Sequence, residues 1–248
     1  MRRIVTLITD FGTVDGYVGE MKGILLSAAA DVEIVDITHD IPPQDIERAR
    51  LTLARLWRRF PAGTIHMVVV DPGVGSARRG LAIVNDERFL IGPDNGVLSP
   101  ALVVPGSHVA ELPVSPTASF TFHGRDVFAP AAAMIARGEP LEALGRAVDD
   151  PVIHRTPEAT RRADGALEGQ VIVTDRFGNA ITNLIGMRGG VVEVDGRRVP
   201  LRKTYADVRP GETVAVVGST GLIEIAIRDG DAAKTLGLER GALVLLHP

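Results

Sequence analysis

The chain contains no cysteine. That absence removes disulfides, thiolate nucleophiles and thiolate metal sites together. It also lacks a basic excess: the formal net charge is −4, opposite in sign to that of a general nucleic-acid binder. The arginine pairs Arg58–Arg59, Arg78–Arg79 and Arg161–Arg162 are short and scattered, and read mostly as solvated surface. No apolar stretch is long enough to span a membrane, and the opening "MRRIVTLITDFG" meets an acidic residue too early for a signal peptide. Histidines 39, 66, 108, 154 and 247 show no HExxH or other ligand spacing, so neither a metal nor another cofactor is expected. Internal repeats and low-complexity segments are missing too. The expectation is a cytoplasmic protein without a nucleic-acid or membrane partner.

What is present is an ordinary globular composition, 45% hydrophobic and 23% charged over 248 residues, with ample length for a buried core. Short apolar runs alternate with helical patterns through the first 150 or so positions. "RIVTLITD" (3–10), "VEIVDIT" (32–38) and "TIHMVVVD" (64–71) read as strands. Between them, residues 17–29 and 44–60 carry apolar side chains at helical spacing. The order β-α-β-α-β implies a parallel sheet with right-handed crossovers. Further strand-like pieces lie at 81–85 and 88–92, and a helix at about 125–137. After residue 155, "RTPEATRRADG" is polar and aperiodic and reads as a linker. Beyond it come short β-rich runs broken by turns, among them "VVEVDGRRVPL", where Asp-Gly between apolar runs signals a hairpin. The fold expected is α/β, with a Rossmann-like domain over 1–155 and a smaller all-β barrel over 166–248.

Four stretches put polar residues where a strand gives way to a loop: "ITDFGTVDGY" (8–17), "DPGVGSAR" (71–78), "FHGRDVFAP" (122–130) and "TDRFGNAITN" (174–183). In open α/β sheets ligands bind at the carboxyl ends of the strands, so Asp71, closing the apolar run "VVV", calls for an explanation. Taken singly each stretch has a plain structural alternative. Asp10 serves equally as a helix N-cap or a ligand group. "DPGVG" suits a tight turn, His123 a satisfied structural histidine, and Arg125 with Asp126 a local pair or helix cap. "DFG" lacks the surrounding segments of a kinase.

The motifs "ITDFG", "DPGVGSAR", "FHGRDVFAP", "TDRFGN" and "GSTGLIEIA" occur in this order across almost the whole chain. That pattern resembles the S-adenosyl-L-methionine hydroxide adenosyltransferases, which form adenosine by hydrolysis and are relatives of the fluorinases and chlorinases. The resemblance implies a Rossmann-like domain, a β-barrel domain, and a homotrimer whose sites lie where subunits meet. It implies S-adenosyl-L-methionine as the small-molecule substrate, the (R)-sulfonium epimer in particular. An Asp-Arg-His set is matched by Asp71, Arg78 and His123, the arginine at family spacing being Arg78 and not Arg79. Asp10 is implied at the ribose hydroxyls. Asn179, Ser219, Glu224 and the backbone near Ile227 are implied around adenine and methionine, and Asp175 at the substrate's amino group.

In the halogenases the aspartate position holds tyrosine, and an insertion absent from this chain is present. The water-using branch is therefore expected. The alternatives are a halide-dependent 5′-halo-5′-deoxyadenosine synthase and a non-catalytic adenosyl-ligand binding protein. One departure from the pattern is Arg228 in "AIRDG", where relatives commonly carry asparagine. It leaves the adenine-edge contact of that loop open unless backbone makes it.

Overall fold

Strand β1 (Arg3–Thr9), helix α1 (Tyr17–Ala28), β2 (Val32–Thr38), α2 (Ile46–Leu56) and β3 (Ile65–Val69) follow one another in a computed structural model that describes residues 3–187 and 189–248. Next come β4 (Gly80–Asn85), β5 (Arg88–Pro93), a short helix α3 (Ser99–Leu102) and β6 (His108–Leu112). A π-helical turn (Gly124–Phe128) then leads into α4 (Ala129–Ala136), and β7 (Arg146–Ala147) ends the series. The strands form one sheet in the order β2-β1-β3-β5-β4-β6-β7.

The sheet is parallel across β2, β1, β3 and β5 and antiparallel beyond. The parallel sheet implied by the β-α-β-α-β order is realised in β1, β2 and β3, and beyond them lies the antiparallel part. Its cause is a tight hairpin between β4 and β5, where Asp86 and Glu87 adopt φ of +49° and +56°. Both central residues at positive φ make the turn type whose twist suits a two-residue hairpin. Neither is glycine, so the sequence carries no signal for it. Helices α1 and α4 pack on one face through Met21, Leu25, Ala132 and Ile135, and α2, the 3₁₀ turn after it and α3 cover the other through Leu53, Trp57 and Ala101. With both faces covered, β3 is buried along its whole length. That explains the apolar run Met67–Val70 at its carboxyl end.

The chain passes from β1 to β2 on one side, then returns through α2 to β3 on the other side of β1. The carboxyl ends of β1 and β3 thus flank a topological switch point, the crevice where open α/β sheets bind ligands. Their register pairs Thr9 with Val69, which sets Asp10 and Asp71 just beyond adjacent strand ends.

The chain divides into two compact units, Met1–Arg155 and Thr156–Pro248. In the second, strands β9 (Leu167–Thr174), β10 (Ala180–Ile185), β11 (Val191–Val194), β12 (Arg197–Arg202), β13 (Thr213–Val217), β14 (Leu222–Ile227) and β15 (Leu243–His247) run in the order β10-β14-β13-β12-β11-β15-β9. Pairing of β9 with β10 closes the ring into a barrel. The two-residue β8 (Thr160–Arg161) pairs on the outside of β9. Closure removes open sheet edges, and Val171, Leu184, Val192, Ile223, Ile225 and Val244 fill the interior. The Asp-Gly signal is realised as the β11–β12 hairpin, with Asp195 and Gly196 both at positive φ.

Candidate active site

Asp71 follows the buried end of β3, in a loop that turns through Gly75. This glycine sits at φ +75°, and a Cβ there would lie 2.2 Å from the Phe120 carbonyl oxygen. Only glycine allows both the left-handed backbone and so close an approach. The loop brings Arg78 back onto Asp71. Arg78 Nε donates to Asp71 Oδ1 at 2.8 Å and Nη2 donates to Oδ2. Both side chains are buried, at 9% and 6% exposure. Such fork-to-fork pairing fixes orientation as well as charge. The guanidinium also lies over the Phe128 ring, 5.4 Å from its centroid.

His123 enters from the turn before the π-helical segment, a feature frequent at functional sites. Its Nδ1 lies 3.0 Å from Arg78 Nη2. A guanidinium can only donate, so Nδ1 accepts and the neutral ring carries its proton on Nε2. Burial, followed by the adjacent Arg78 cation, pushes the imidazole pKa below its ordinary value, against the smaller pull of Asp71 and Asp126. Arg78 Nη1 is buried without a hydrogen-bond acceptor among the described residues.

Asp10, Asp71 and His123 line one cleft of about 430 Å³ together with Phe11, Tyr17, Gln44, Thr121 and Phe122. Its size suits a small-molecule ligand. Asp10 Oδ2 accepts from the Gln44 backbone N–H at 2.8 Å. It caps no neighbouring helix, since α1 begins at Tyr17 with Gly16 in the cap position. One wall consists of Phe11, Tyr17 and Phe122, with centroids 5.3–5.8 Å apart in tilted and edge-on contact. Sequence reasoning missed these three rings. Their signal was position, since each lies inside a singled-out stretch. Arg125 and Asp126 pair with each other, and Arg125 also binds Glu20.

The remaining site residues expected from the sequence lie in the barrel unit. Asp175 organises its own loop: Oδ1 accepts from the backbone N–H of Phe177 and Asn179, and Oδ2 from Asn179 Nδ2, each at 2.9 Å. Glu224 is buried on β14 and accepts from the Tyr205 hydroxyl at 2.8 Å. Burial and then this carboxylate push the Tyr205 pKa up to about 12. A Cβ on Gly218 would fall 1.8 Å from Glu224 Oε1, so glycine there lets the turn carrying exposed Ser219 lie against the carboxylate as it stands. Tyr205 had no signal in the sequence. Ile227 ends β14, and Arg228 donates to the Ala206 and Val208 carbonyls at 3.3 and 2.8 Å. Its side chain is thus a strut for the Tyr205–Asp207 turn. Among the described residues no group of three or more His, Asp or Glu side chains could hold a metal ion, and no helix is long and apolar enough to cross a membrane.

Residues 5–145 match the family model of the SAM hydroxide adenosyltransferase N-terminal domain and residues 169–245 that of its C-terminal domain. The chain is 43% identical to the (R)-S-adenosyl-L-methionine hydrolase of Thermus thermophilus over 98% of its own length and 99% of the relative's. It is 36% identical to the enzyme of that name from Salinispora tropica, with 96% and 95% covered. A fluorinase from Actinopolyspora mzabensis is 29% identical, with 98% and 96% covered. That alignment runs over 290 positions against 257 for the Thermus protein. A crystal structure of an uncharacterized conserved protein from Thermotoga maritima superposes with a TM-score of 0.89 at 30% identity, covering 98% of this chain and all of that one. With both of its halves matched in order, this chain belongs to the SAM hydroxide adenosyltransferase family.

Proposed function

We propose that the protein hydrolyses S-adenosyl-L-methionine, as the (R)-sulfonium epimer, to adenosine and L-methionine. The observation that carries this reading is the buried Asp71–Arg78–His123 set at the cleft, in a chain whose nearer relatives bear the name of that hydrolase.

The sulfonium makes C5′ ready for displacement, because the leaving group is a neutral thioether that needs no general acid. The difficulty is the nucleophile. Water has a pKa of about 15.7, so forming free hydroxide at neutral pH costs about 12 kcal/mol at 1.36 kcal/mol per unit. A positioned base avoids most of that by taking the proton during attack, for about 10²–10⁴-fold in rate. Arg78 occupies one lone pair on each Asp71 oxygen, and each oxygen keeps another for the water. Asp71 takes the proton as the water oxygen bonds C5′ and the C5′–S electron pair leaves on sulfur. Neutral His123 offers its Nε2–H to the water oxygen and cannot compete as the base, since Nδ1 is held by Arg78.

Asp10 is the acceptor for the ribose hydroxyls. Asn179, Ser219, Glu224 and the backbone at Ile227 serve the adenine and methionine ends. Asp175, with three of its roughly four acceptor sites taken by its own loop, keeps one for the substrate's amino group. We further propose a homotrimer with sites shared between subunits, working in the cytoplasm. Incubating the protein with each sulfonium epimer and quantifying adenosine by chromatography tests the reading. Adenosine from neither epimer overturns it, and a 5′-chloro product on adding chloride moves the protein to the halide-using branch.

A further inference from the structure

Asp71 and Arg78 both lie outside the sheet ladders. The β1–β3 ladder ends at Val69 and β4 starts at Gly80, so neither partner of the pair is held by strand pairing. Behind them runs the turn that follows β5. Asn95 Nδ2 donates to the Val70 carbonyl at 2.9 Å, the peptide unit that leads into Asp71, and Asn95 Oδ1 accepts from Val97 N–H at 3.2 Å. Asp94 holds the residue after Arg78: its Oδ2 accepts from Arg79 Nε at 2.8 Å, and its backbone N–H donates to the Arg79 carbonyl at 2.9 Å. The Asp94 side chain is 3% exposed. Its other oxygen accepts from Val152 N–H at 2.8 Å. This turn can lie so close because Gly92 has no Cβ, which would fall 2.4 Å from the Val68 carbonyl oxygen.

We propose that Asp94 and Asn95 are positioning residues for the hydrolysis, adjacent side chains that fix the two backbone segments carrying Asp71 and Arg78. The inference rests on the reading of the site as a water-activating one. Neither side chain touches the cleft. Their effect is on the geometry of the pair, and misplacement by about 1 Å is enough to cost about 10²-fold in rate. A carbonyl such as that of Val70, left without its donor, is also free to reorient the peptide unit before the base.

Asn95→Ala and Asp94→Asn, each in the intact chain, separate positioning from general stability. Three quantities are read: adenosine release, adenosine affinity by calorimetry, and the His123 imidazole titration by NMR without substrate. The expected result is a kcat at least about tenfold lower, an adenosine Kd within about twofold, and a His123 titration moved up as Arg78 leaves Nδ1. Unchanged kcat, or kcat and affinity lost in equal measure, overturns the proposal, as does a fall in kcat with His123 unmoved. If the unsubstituted protein releases no adenosine, the hydrolysis reading fails, while the His123 shift still decides the positioning role. Should Asn95→Ala not fold, Asn95→Ser takes its place, with an intermediate loss expected and full activity overturning the inference.

Discussion

Asp71 carries two charge-assisted hydrogen bonds from a single guanidinium, and this settles what a substitution there should do. Asp71→Asn keeps the shape but turns one acceptor into an N–H₂ group facing Arg78, and an amide does not take a proton from water. Turnover is expected to fall by about 10²–10⁴-fold with adenosine affinity nearly unchanged, as read by adenosine release and calorimetry. Turnover close to that of the unsubstituted protein would remove Asp71 from the role of base. Asp10 has the complementary role. Hydrogen bonds to charged groups contribute about 1.5–3 kcal/mol each, and two ribose hydroxyls are within the capacity of one carboxylate. Asp10→Ala should therefore weaken adenosine binding at least about tenfold, and an unchanged dissociation constant would leave Asp10 with only its Gln44 contact. These carboxylates were legible in the sequence because each ends an apolar run. The links among them were not. Nothing in "DPGVGSAR" says that Arg78 turns back onto Asp71 and His123 while Arg79 turns away to Asp94 and Asp150.

At the scale of elements, strands with continuous apolar runs could be read directly, since burial on both faces leaves no other composition open to them. Helix ends were less legible. The pattern over 44–60 breaks in the structure into α2 and a separate 3₁₀ turn at Trp57–Arg59, because apolar spacing marks a buried face and not the hydrogen bonding beneath it. That break has a consequence on β3. The Trp57 carbonyl accepts from His66 Nε2–H at 3.0 Å, and Nδ1 meets the Thr6 hydroxyl at 2.8 Å. His66 thus ties β3 to β1 and to the end of α2 as a neutral ring. Burial lowers its pKa from 6.5 to about 4. Between those values the unfolded chain binds a proton that the folded chain refuses, so stability rises with pH across the window and is lost as pH falls towards 4. That lowering corresponds to on the order of 3 kcal/mol. Urea midpoints from pH 4 to 7 should climb more steeply for the unsubstituted protein than for His66→Gln. Equal slopes would show that His66 is not the group responsible.

At the scale of the whole molecule, the cleft in the α/β unit is lined, among the described residues, by positions from Asp10 to Gly124. The groups proposed for adenine and methionine, Asn179, Ser219 and Glu224, belong to the barrel unit. In the proposed reading both sets serve one site, and the proposed homotrimer would supply them from neighbouring copies. In that proposal three identical head-to-tail contacts would close into a ring, each subunit giving its cleft to one neighbour and its barrel loops to the other. Apolar side chains stand exposed near both sets: Phe120, beside the Gly75 turn, at 80% and Phe177, in the Asp175–Asn179 loop, at 76%. Both suit burial in such contacts. Substituting both with serine should leave each unit folded, shift the sedimenting species from trimer to monomer, and lower activity in parallel with the loss of trimer. Analytical ultracentrifugation and adenosine release, followed together on dilution to nanomolar concentration, measure both. A monomer with full activity would require the two halves of each site to come from one chain, and the shared-site arrangement would fall.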